Sequence, residues 1–255
     1  MSNTMTISPT MLRVEATRQL RNPYTLAFTL GMPVAMYLLF GVSMGYGSMS
    51  AGNGSVSFYV MVSMAAYGTA VAMSSITSLA AIEAKQGWGR QLAMTPLSTT
   101  GYAATKLLTA VAFAAFAVLA VFAAGLATGA EATDAWRWWA SAGIILGLGL
   151  IYGLYGLGVG LFFNSDTAAA LASISLTFFA FFGNVFMPLD GVMLDIARFT
   201  PLYGYVALSR WPLTDGVLTT GQSDPLWALL LNVVAWTFVF VLLVIAGTRR
   251  ARSRR

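Results

Sequence analysis

Residues 107–129 have the sequence LLTAVAFAAFAVLAVFAAGLATG, in which no side chain carries a charge. A helix rises about 1.5 Å per residue, so about 20 apolar residues cross the roughly 30 Å hydrocarbon core of a bilayer. Five further apolar segments of similar length lie on either side of this one, at residues 25–45, 58–80, 138–163, 168–188 and 226–247. The sequence therefore predicts an all-α membrane protein with six transmembrane helices.

The composition excludes a soluble protein and several kinds of chemistry. Apolar residues make up 58% of the 255 residues and charged residues only 9%, whereas soluble domains carry about a quarter charged residues. So few charges cannot cover a water-facing surface. The length allows one large domain or two small ones, and the apolar content favours a single membrane domain over residues 25–247. The chain contains no Cys and no His, which excludes disulfides and thiolate or imidazole catalysis.

The basic residues are concentrated on one side of the predicted bilayer. Only Arg137, Arg198 and Arg210 fall on the other side, which agrees with the excess of Lys and Arg in cytoplasmic loops. We therefore expect a multi-pass protein of the cell membrane, of bacterial origin, with both termini in the cytoplasm. The basic tail, residues 248–255, is expected to contact anionic lipid headgroups and not nucleic acid. Eleven of the fourteen basic residues lie on the cytoplasmic side in this topology: Arg13, Arg18, Arg21, Lys85, Arg90, Lys106, Arg249, Arg250, Arg252, Arg254 and Arg255.

The chain ahead of the first span is predicted to form a helix along the inner membrane surface. Ser8 can cap this helix, with Pro9 at its first position. The pattern predicts an interfacial amphipathic helix within residues 1–24, and a flexible tail is the alternative. Apolar and basic residues repeat on opposite faces, with Leu12, Ala16 and Leu20 on one and Arg13, Arg18 and Arg21 on the other.

The segment before the last span, residues 189–225, is too polar for a span and too apolar for a free loop. Pro201, Pro212 and Pro225 interrupt it. A backbone segment that enters the membrane without crossing it must be buried in protein. We therefore expect short re-entrant helices on the outer side.

The six predicted spans contain no Asp, Glu, Lys, Arg or His. Carriers driven by proton or sodium gradients generally hold ionisable groups or broken helices near the midplane, so this class is disfavoured. Catalysis is equally unsupported, because no base, nucleophile or metal ligand lies within the spans. The chain also lacks the Gly-rich loop of P-loop ATPases. We expect no cofactor and no metal on this chain, and a partner must supply the energy for uphill transport.

The most specific motif lies between the second and third predicted spans. Residues 83–98 have the sequence EAKQGWGRQLAMTPLS, and Lys106 opens the third span. This motif resembles the ABC type-2 exporter permease family, in which an acidic residue and a glycine lead into a Leu-x-x-Thr-Pro-Leu-Ser stretch. The resemblance extends to the N-terminal helix, the Arg21-Asn22-Pro23 sequence before the first span, and the six spans. The matching positions in the motif are Glu83, Gly87, Leu92, Thr95, Pro96, Leu97, Ser98 and Lys106.

The resemblance implies a cytoplasmic coupling helix that docks on an ABC ATPase. It also implies an assembly with two copies of that ATPase, which bind ATP and Mg, and a second permease chain, identical or homologous. Gly87 and Gly89 permit a tight bend, and Pro96 ends the helix. Without the resemblance, an ordinary basic cytoplasmic loop is the better interpretation. The residues expected to act in coupling are Glu83, Lys85, Gln86, Gly87, Trp88, Gly89 and Arg90, beside Glu15, Arg18 and Arg21 of the interfacial helix.

Small and hydroxylated residues line one face of span two and one face of span five. Such faces either pack helices closely or line a path, and close packing is the commoner explanation. The resemblance implies that spans two and five face a central pathway, which favours the path. Glycines at four-residue spacing on span four, such as Gly156 and Gly160, indicate helix packing only. The residues predicted to line a substrate path are Ser63, Tyr67, Ser74 and Ser78 on span two, and Ser173, Thr177, Phe181 and Asn184 on span five.

The sequence favours the permease subunit of an ATP-driven exporter for a small hydrophobic or amphipathic compound, a drug or natural product, as in multidrug efflux. A permease for a polysaccharide or lipid-linked glycan is the alternative within transport. A membrane assembly subunit that transports nothing is the alternative from another class, and it would need neither a polar stripe nor a coupling helix. The cargo, the direction of transport, and the pairing of identical or different permeases stay open.

Overall fold

The structure is a computed structural model, and it describes residues 8–85, 99–163 and 167–252. All regular secondary structure within these ranges is helical, as the sequence predicts. The helices in chain order are α1 (Pro9–Leu20), α2 (residues 23–43), α3 (Val56–Lys85), α4 (Thr99–Ala127), α5 (Trp136–Gly149), α6 (Ile151–Phe162), α7 (Thr167–Phe182), α8 (Gly191–Ala197), α9 (Tyr203–Thr214) and α10 (Leu226–Arg252).

Four helical segments are long and apolar enough to cross a membrane, and they coincide with predicted spans two, three, four and six. Predicted spans one and five lie in the shorter apolar helices Ala27–Ser43 and Thr167–Phe182. The 16 residues of α7 extend about 24 Å, which is less than the roughly 30 Å of hydrocarbon. The six-span layout therefore stays a prediction. The four long segments are Val56–Ala84, Thr100–Ala127, Trp136–Phe162 and Leu226–Arg250.

Helix α1 begins as predicted, and it turns a polar face toward the protein. The hydroxyl of Ser8 caps its first turn. Glu15 and Gln19 are only 6% and 2% exposed, whereas Leu20 is 50% exposed. Leu20 of the predicted apolar face is therefore left exposed by the rest of the chain, and its contact with the membrane surface stays a prediction. Ion pairs to α3 and α4, described below, hold Glu15 inward.

Helix α2 departs from regular α-helical geometry twice. Its turns are π-helical at Ala27–Gly31 and at Leu38–Ser43. Pro33 has no amide hydrogen, and its ring would collide with the carbonyl four residues earlier, so a regular helix cannot continue through it. The proline ring packs against Gly68 of α3, where an added Cβ would lie 3.0 Å from it. The kink that Pro33 predicts is thus accompanied by π-helical turns.

Helix α3 is the central element. Of its most apolar window, 94% is buried within the chain, against 17% for α10. The sequence explains this difference, because α3 carries small or apolar residues on every side and such a helix belongs in a core. It contacts α2, α4, α6, α7 and α9. A displacement of α3 would therefore be transmitted to most of the protein.

Close packing between α3 and α6 depends on glycine. A Cβ on Gly156 would overlap the backbone oxygen of Ser74, and one on Gly160 would overlap that of Ser78. Small residues at such interfaces let helix backbones approach closely. A Cβ on Gly143 or Gly147 would meet no atom of the described residues within 4 Å. A Cβ on Gly149 would lie 2.4 Å from the side chain of Thr69, so the packing interpretation is confirmed from Gly149 onward and not at Gly143 and Gly147.

The end of the bundle opposite α1 is closed by loops and by two short helices, α8 and α9. Helix α9 packs against α3, α5 and α10, and most of its side chains are buried. The backbone amide of Asn53 donates to the carbonyl of Leu213 at 2.8 Å, and that of Ser55 donates to the carbonyl of Glu131 at 2.9 Å. Short helices are thus present where the sequence predicts them, and their depth in the bilayer stays a prediction.

Candidate functional site

Two acidic and two basic side chains meet where α1 lies beside the end of α3 and the beginning of α4. Glu15 and Arg18 come from α1, Glu83 from α3, and Lys106 from α4. Tyr102, one turn before Lys106, joins them through its hydroxyl. We call these five residues the ion cluster.

Each cation of the ion cluster contacts both carboxylates. Arg18 is 2.9 Å from Glu15 and 2.5 Å from Glu83, measured between nitrogen and oxygen. The Nζ of Lys106 is 2.8 Å from Glu15 and 2.7 Å from Glu83. The hydroxyl of Tyr102 donates to Oε2 of Glu83 at 2.5 Å. The two positive and two negative charges cancel, so the cluster is neutral as a whole.

Helical spacing explains how the side chains reach one another. Glu15 and Arg18 are three residues apart on α1 and therefore project from the same face. Gln19 belongs to that face and donates to Glu15 at 3.2 Å. On α4, the four-residue spacing of Tyr102 and Lys106 places both on the surface that faces α1. The cluster therefore joins α1 to the flanks of the connection between α3 and α4.

Most of the ion cluster is shielded from solvent. The side chain of Lys106 is 4% exposed and that of Glu15 is 7% exposed, whereas that of Arg18 is 45% exposed. Burial lowers the pKa of Arg18, but the nearby carboxylates of Glu15 and Glu83 outweigh burial and raise this pKa above its usual value. A buried charge costs several kcal/mol unless it is paired. Loss of one member would therefore leave another buried charge short of a partner.

The ion cluster lies next to the segment that the sequence assigns to ATPase coupling. Within that assignment, Glu83 is part of the cluster. The structure also brings Glu15 and Arg18 of the interfacial helix to Glu83, whereas Arg21 is exposed at the end of α1. The other predicted coupling positions lie outside the described part of the chain, namely the side chain of Lys85 and residues Gln86, Gly87, Trp88, Gly89 and Arg90.

A second group of predicted site residues meets between α3 and α7. The hydroxyls of Tyr67 and Thr177 are 2.6 Å apart. The ring of Tyr67 lies 5.1 Å from that of Phe186, which lies 4.8 Å from that of Phe181. We call these four residues the tyrosine seam. Polar hydroxyls beside aromatic rings are a combination that suits an amphipathic ligand.

The remaining predicted substrate residues have other surroundings. Ser74 and Ser78 lie against the glycines of α6, which supports the helix-packing alternative at these two positions. Ser173 donates to a carbonyl of its own helix at 3.0 Å. Asn184 follows α7 with a φ of 57°, and its side-chain oxygen accepts from the amide of Leu189 at 2.9 Å. A substrate role for Ser173 and Asn184 stays a prediction.

Arg210 is a buried cation that sequence patterns do not single out. It is 3% exposed, its Nε donates to the hydroxyl of Ser63 at 2.8 Å, and its Nη2 donates to the carbonyl of Val185 at 3.2 Å. Its guanidinium lies 4.0 Å from the ring centre of Tyr59, in cation–π geometry. The sequence places Arg210 at the outer surface, and the signal for burial was its helical spacing from apolar Val206. Arg210 thus connects α9 to one end of the predicted span-two stripe.

Comparison with known proteins identifies the family of this chain. Residues 9–211 match the family model described as ABC-2 type transporter. Over 237 residues the chain is 26% identical to "Putative transport permease YvfS" of Bacillus subtilis (strain 168), which covers 90% of this chain and 91% of that protein. The family match includes the ion cluster, the tyrosine seam and most of the helical bundle. The chain therefore belongs to the ABC-2 type transporter family.

Proposed function

We propose that this chain is the transmembrane permease subunit of an ATP-driven exporter. ATP is hydrolysed by two copies of a separate ABC ATPase, and a second permease chain, identical or homologous, completes the assembly. The observation that carries this proposal is the ion cluster. Its members Glu83 and Lys106 stand on either side of the segment at residues 86–98, where the ATPase would bind.

The ion cluster suits the transfer of movement from an ATPase to the bundle. Residues 86–98 follow the end of α3 and precede the beginning of α4, so a force on them acts on both helices. Lys106 and Arg18 each bridge Glu15 and Glu83, which joins α1 to these two helices at short distances. Because α3 contacts most of the other helices, the force then reaches the core.

The tyrosine seam supports a small hydrophobic or amphipathic cargo. It lies between α3 and α7, which correspond to predicted spans two and five. Phe181 is 46% exposed on the surface of this chain, where it can face a second permease chain. The seam contains two hydroxyls and three aromatic rings, which suit a compound with one polar and one flat apolar part.

Reconstitution with the partner ATPase tests this function. The full chain and its partner ABC ATPase are placed in liposomes, and ATP-dependent movement of amphipathic fluorescent dyes is measured. We expect movement that stops when the ATPase is omitted and that is lost in Glu83→Gln. Asp195→Asn is the matched control, because its carboxylate is 68% exposed and lies away from the ion cluster. Dye movement that needs neither ATP nor the ATPase would contradict the proposal.

A further inference from the structure

Arg210 carries a buried charge that no carboxylate cancels within the described part of the chain. The residue is 3% exposed, and none of the ion pairs among the described residues includes it. Asp224, a buried carboxylate of the same end of the bundle, pairs with Arg198 and accepts from the hydroxyl of Tyr203. A buried cation without a counter-charge is strongly destabilising unless other groups offset it.

Hydrogen-bond donors outnumber acceptors around Arg210. A guanidinium has five N–H donors. In the structure as described, the side chain of Arg210 donates two hydrogen bonds, to the hydroxyl of Ser63 and to the carbonyl of Val185. The ring of Tyr59 lies against the guanidinium, and its buried hydroxyl has no hydrogen-bond partner among the described residues. A positive charge and a phenolic donor therefore share one buried place with too few acceptors.

The fold holds these groups in place close to the loops that close this end of the bundle. Tyr59 and Ser63 are four residues apart on α3 and therefore share the face that meets Arg210. The hydroxyl of Ser63 donates to the carbonyl of Tyr59 at 2.6 Å, so it is left to accept from Arg210 and fixes the orientation of the guanidinium. Tyr59 is the fourth residue of α3, which places it about one turn from the preceding loop. A small ion from solution would therefore have a short path to this place.

We propose that Arg210 and Tyr59 bind a small, singly charged inorganic anion, with chloride as the ligand. The guanidinium supplies the counter-charge and N–H donors, and the hydroxyl of Tyr59 supplies a further donor. Water can accept the same hydrogen bonds, but a neutral molecule leaves the buried cation without a counter-charge. Both residues are at most 4% exposed, which favours a small ion over a large organic anion. This inference rests on the buried charge alone, and it holds whether or not the proposed transport function is correct.

Thermal unfolding of the purified full chain in detergent tests the proposal. Sodium chloride replaces sodium gluconate stepwise at constant ionic strength, and tryptophan fluorescence reports the unfolding midpoint. A ligand that binds only the folded protein stabilises it by mass action. We expect the midpoint to rise with chloride and then to level off, by about 2–4 °C when chloride is present at several times its dissociation constant. Levelling off distinguishes a bound ion from a general effect of salt.

Three variants locate the effect within the protein. Arg210→Met should abolish the response to chloride, whereas Arg137→Met should keep it, because the charge of Arg137 is paired with Asp134 at the same end of the bundle. Tyr59→Phe keeps the ring and removes only the hydroxyl, so it stays informative even if Arg210→Met fails to fold. We expect Tyr59→Phe to need roughly tenfold more chloride for half of the effect.

Three results would overturn the proposal. The first is an unfolding midpoint of the unaltered protein that is the same in chloride and in gluconate. The second is a response to chloride that Arg210→Met retains. The third is a Tyr59→Phe variant that needs no more chloride than the unaltered protein.

Discussion

Replacement of Glu83 by Gln tests the ion cluster most simply, because it removes one charge and keeps the shape. Lys106 and Arg18 each keep one carboxylate, that of Glu15. The bond from half-exposed Arg18 contributes little. The bonds from Lys106 and Tyr102 are shielded, and a hydrogen bond to a charged group contributes about 1.5–3 kcal/mol. Because the Gln oxygen still accepts one bond, we expect Glu83→Gln to lower the free energy of unfolding by about 2 kcal/mol.

Replacement of Lys106 by Met should lower the free energy of unfolding by more than Glu83→Gln does. It leaves Glu15 and Glu83 with only Arg18 between them, and breaking a buried ion pair from one side costs about 3–5 kcal/mol. The double variant Glu83→Gln, Lys106→Met retains one balanced pair, Glu15 with Arg18. We therefore expect its cost to be about 2 kcal/mol smaller than the sum of the two single costs.

Equilibrium unfolding of the full-length chain in mixed micelles, followed by tryptophan fluorescence, measures these differences. Asp195→Asn serves as the control, and we expect it to change the free energy by no more than about 0.5 kcal/mol. Strict additivity of the two replacements would refute the claim that Glu83 and Lys106 act within one buried cluster. A Glu83→Gln variant as stable as the unaltered protein would refute it too.

Two further predictions concern the core. Gly156→Leu should lower the free energy of unfolding by at least about 3 kcal/mol or prevent folding, because the leucine side chain would overlap the backbone of α3. Gly147→Leu should be tolerated. The yield of monodisperse protein in detergent distinguishes the two variants, and equal yields would contradict the close packing of α3 and α6. Thr177→Val should lower the free energy of unfolding by about 1 kcal/mol by removing one of the hydrogen-bond partners of Tyr67. It should also reduce ATPase stimulation by dyes if the tyrosine seam contacts the cargo. Unchanged stimulation in a stable Thr177→Val variant would remove the tyrosine seam from the substrate path.

The sequence predicts the four long apolar helices well because the bilayer imposes a simple length requirement. An apolar segment such as residues 107–129 can pair its backbone N–H and C=O groups within hydrocarbon only by forming a helix, so hydropathy alone predicts this span. The prediction from sequence is less accurate at helix ends, where the local backbone conformation decides. The helix of predicted span five ends at Phe182 and not near Pro188, and Asn184 takes up a left-handed conformation just beyond it.

The ion cluster could not be assembled from local patterns. Glu15 and Lys106 are distant in the sequence, and helical periodicity predicts only which residues share a face of their own helix. For α1 that logic separates an apolar face from a basic face, and it does not predict that pairing with Lys106 turns Glu15 toward the bundle. The resemblance at residues 83–98 placed Glu83 and Lys106 in one motif. It did not predict that α1 would join them.

The small-residue stripes are ambiguous for a physical reason. A serine on a helix face suits a close helix contact as well as a polar path, so sequence cannot separate the two. In the structure the same stripe on α3 contacts two different helices. Tyr67 meets Thr177 of α7, while Ser74 and Ser78 meet the glycines of α6. Only the positions of the neighbouring helices decide whether such a serine packs against a helix or lines a polar path.

Cross-linking to the ATPase tests most directly the central claim, that the partner binds between α3 and α4. The chain contains no Cys, so single cysteines can be introduced without a prior deletion. Trp88→Cys places a thiol in the predicted coupling segment, and Thr220→Cys places one in an exposed loop near α9. In the assembled, ATP-hydrolysing complex we expect a thiol cross-linker to join the ATPase to position 88 and not to position 220. An active complex that cross-links at neither position, or at position 220 alone, would contradict the account.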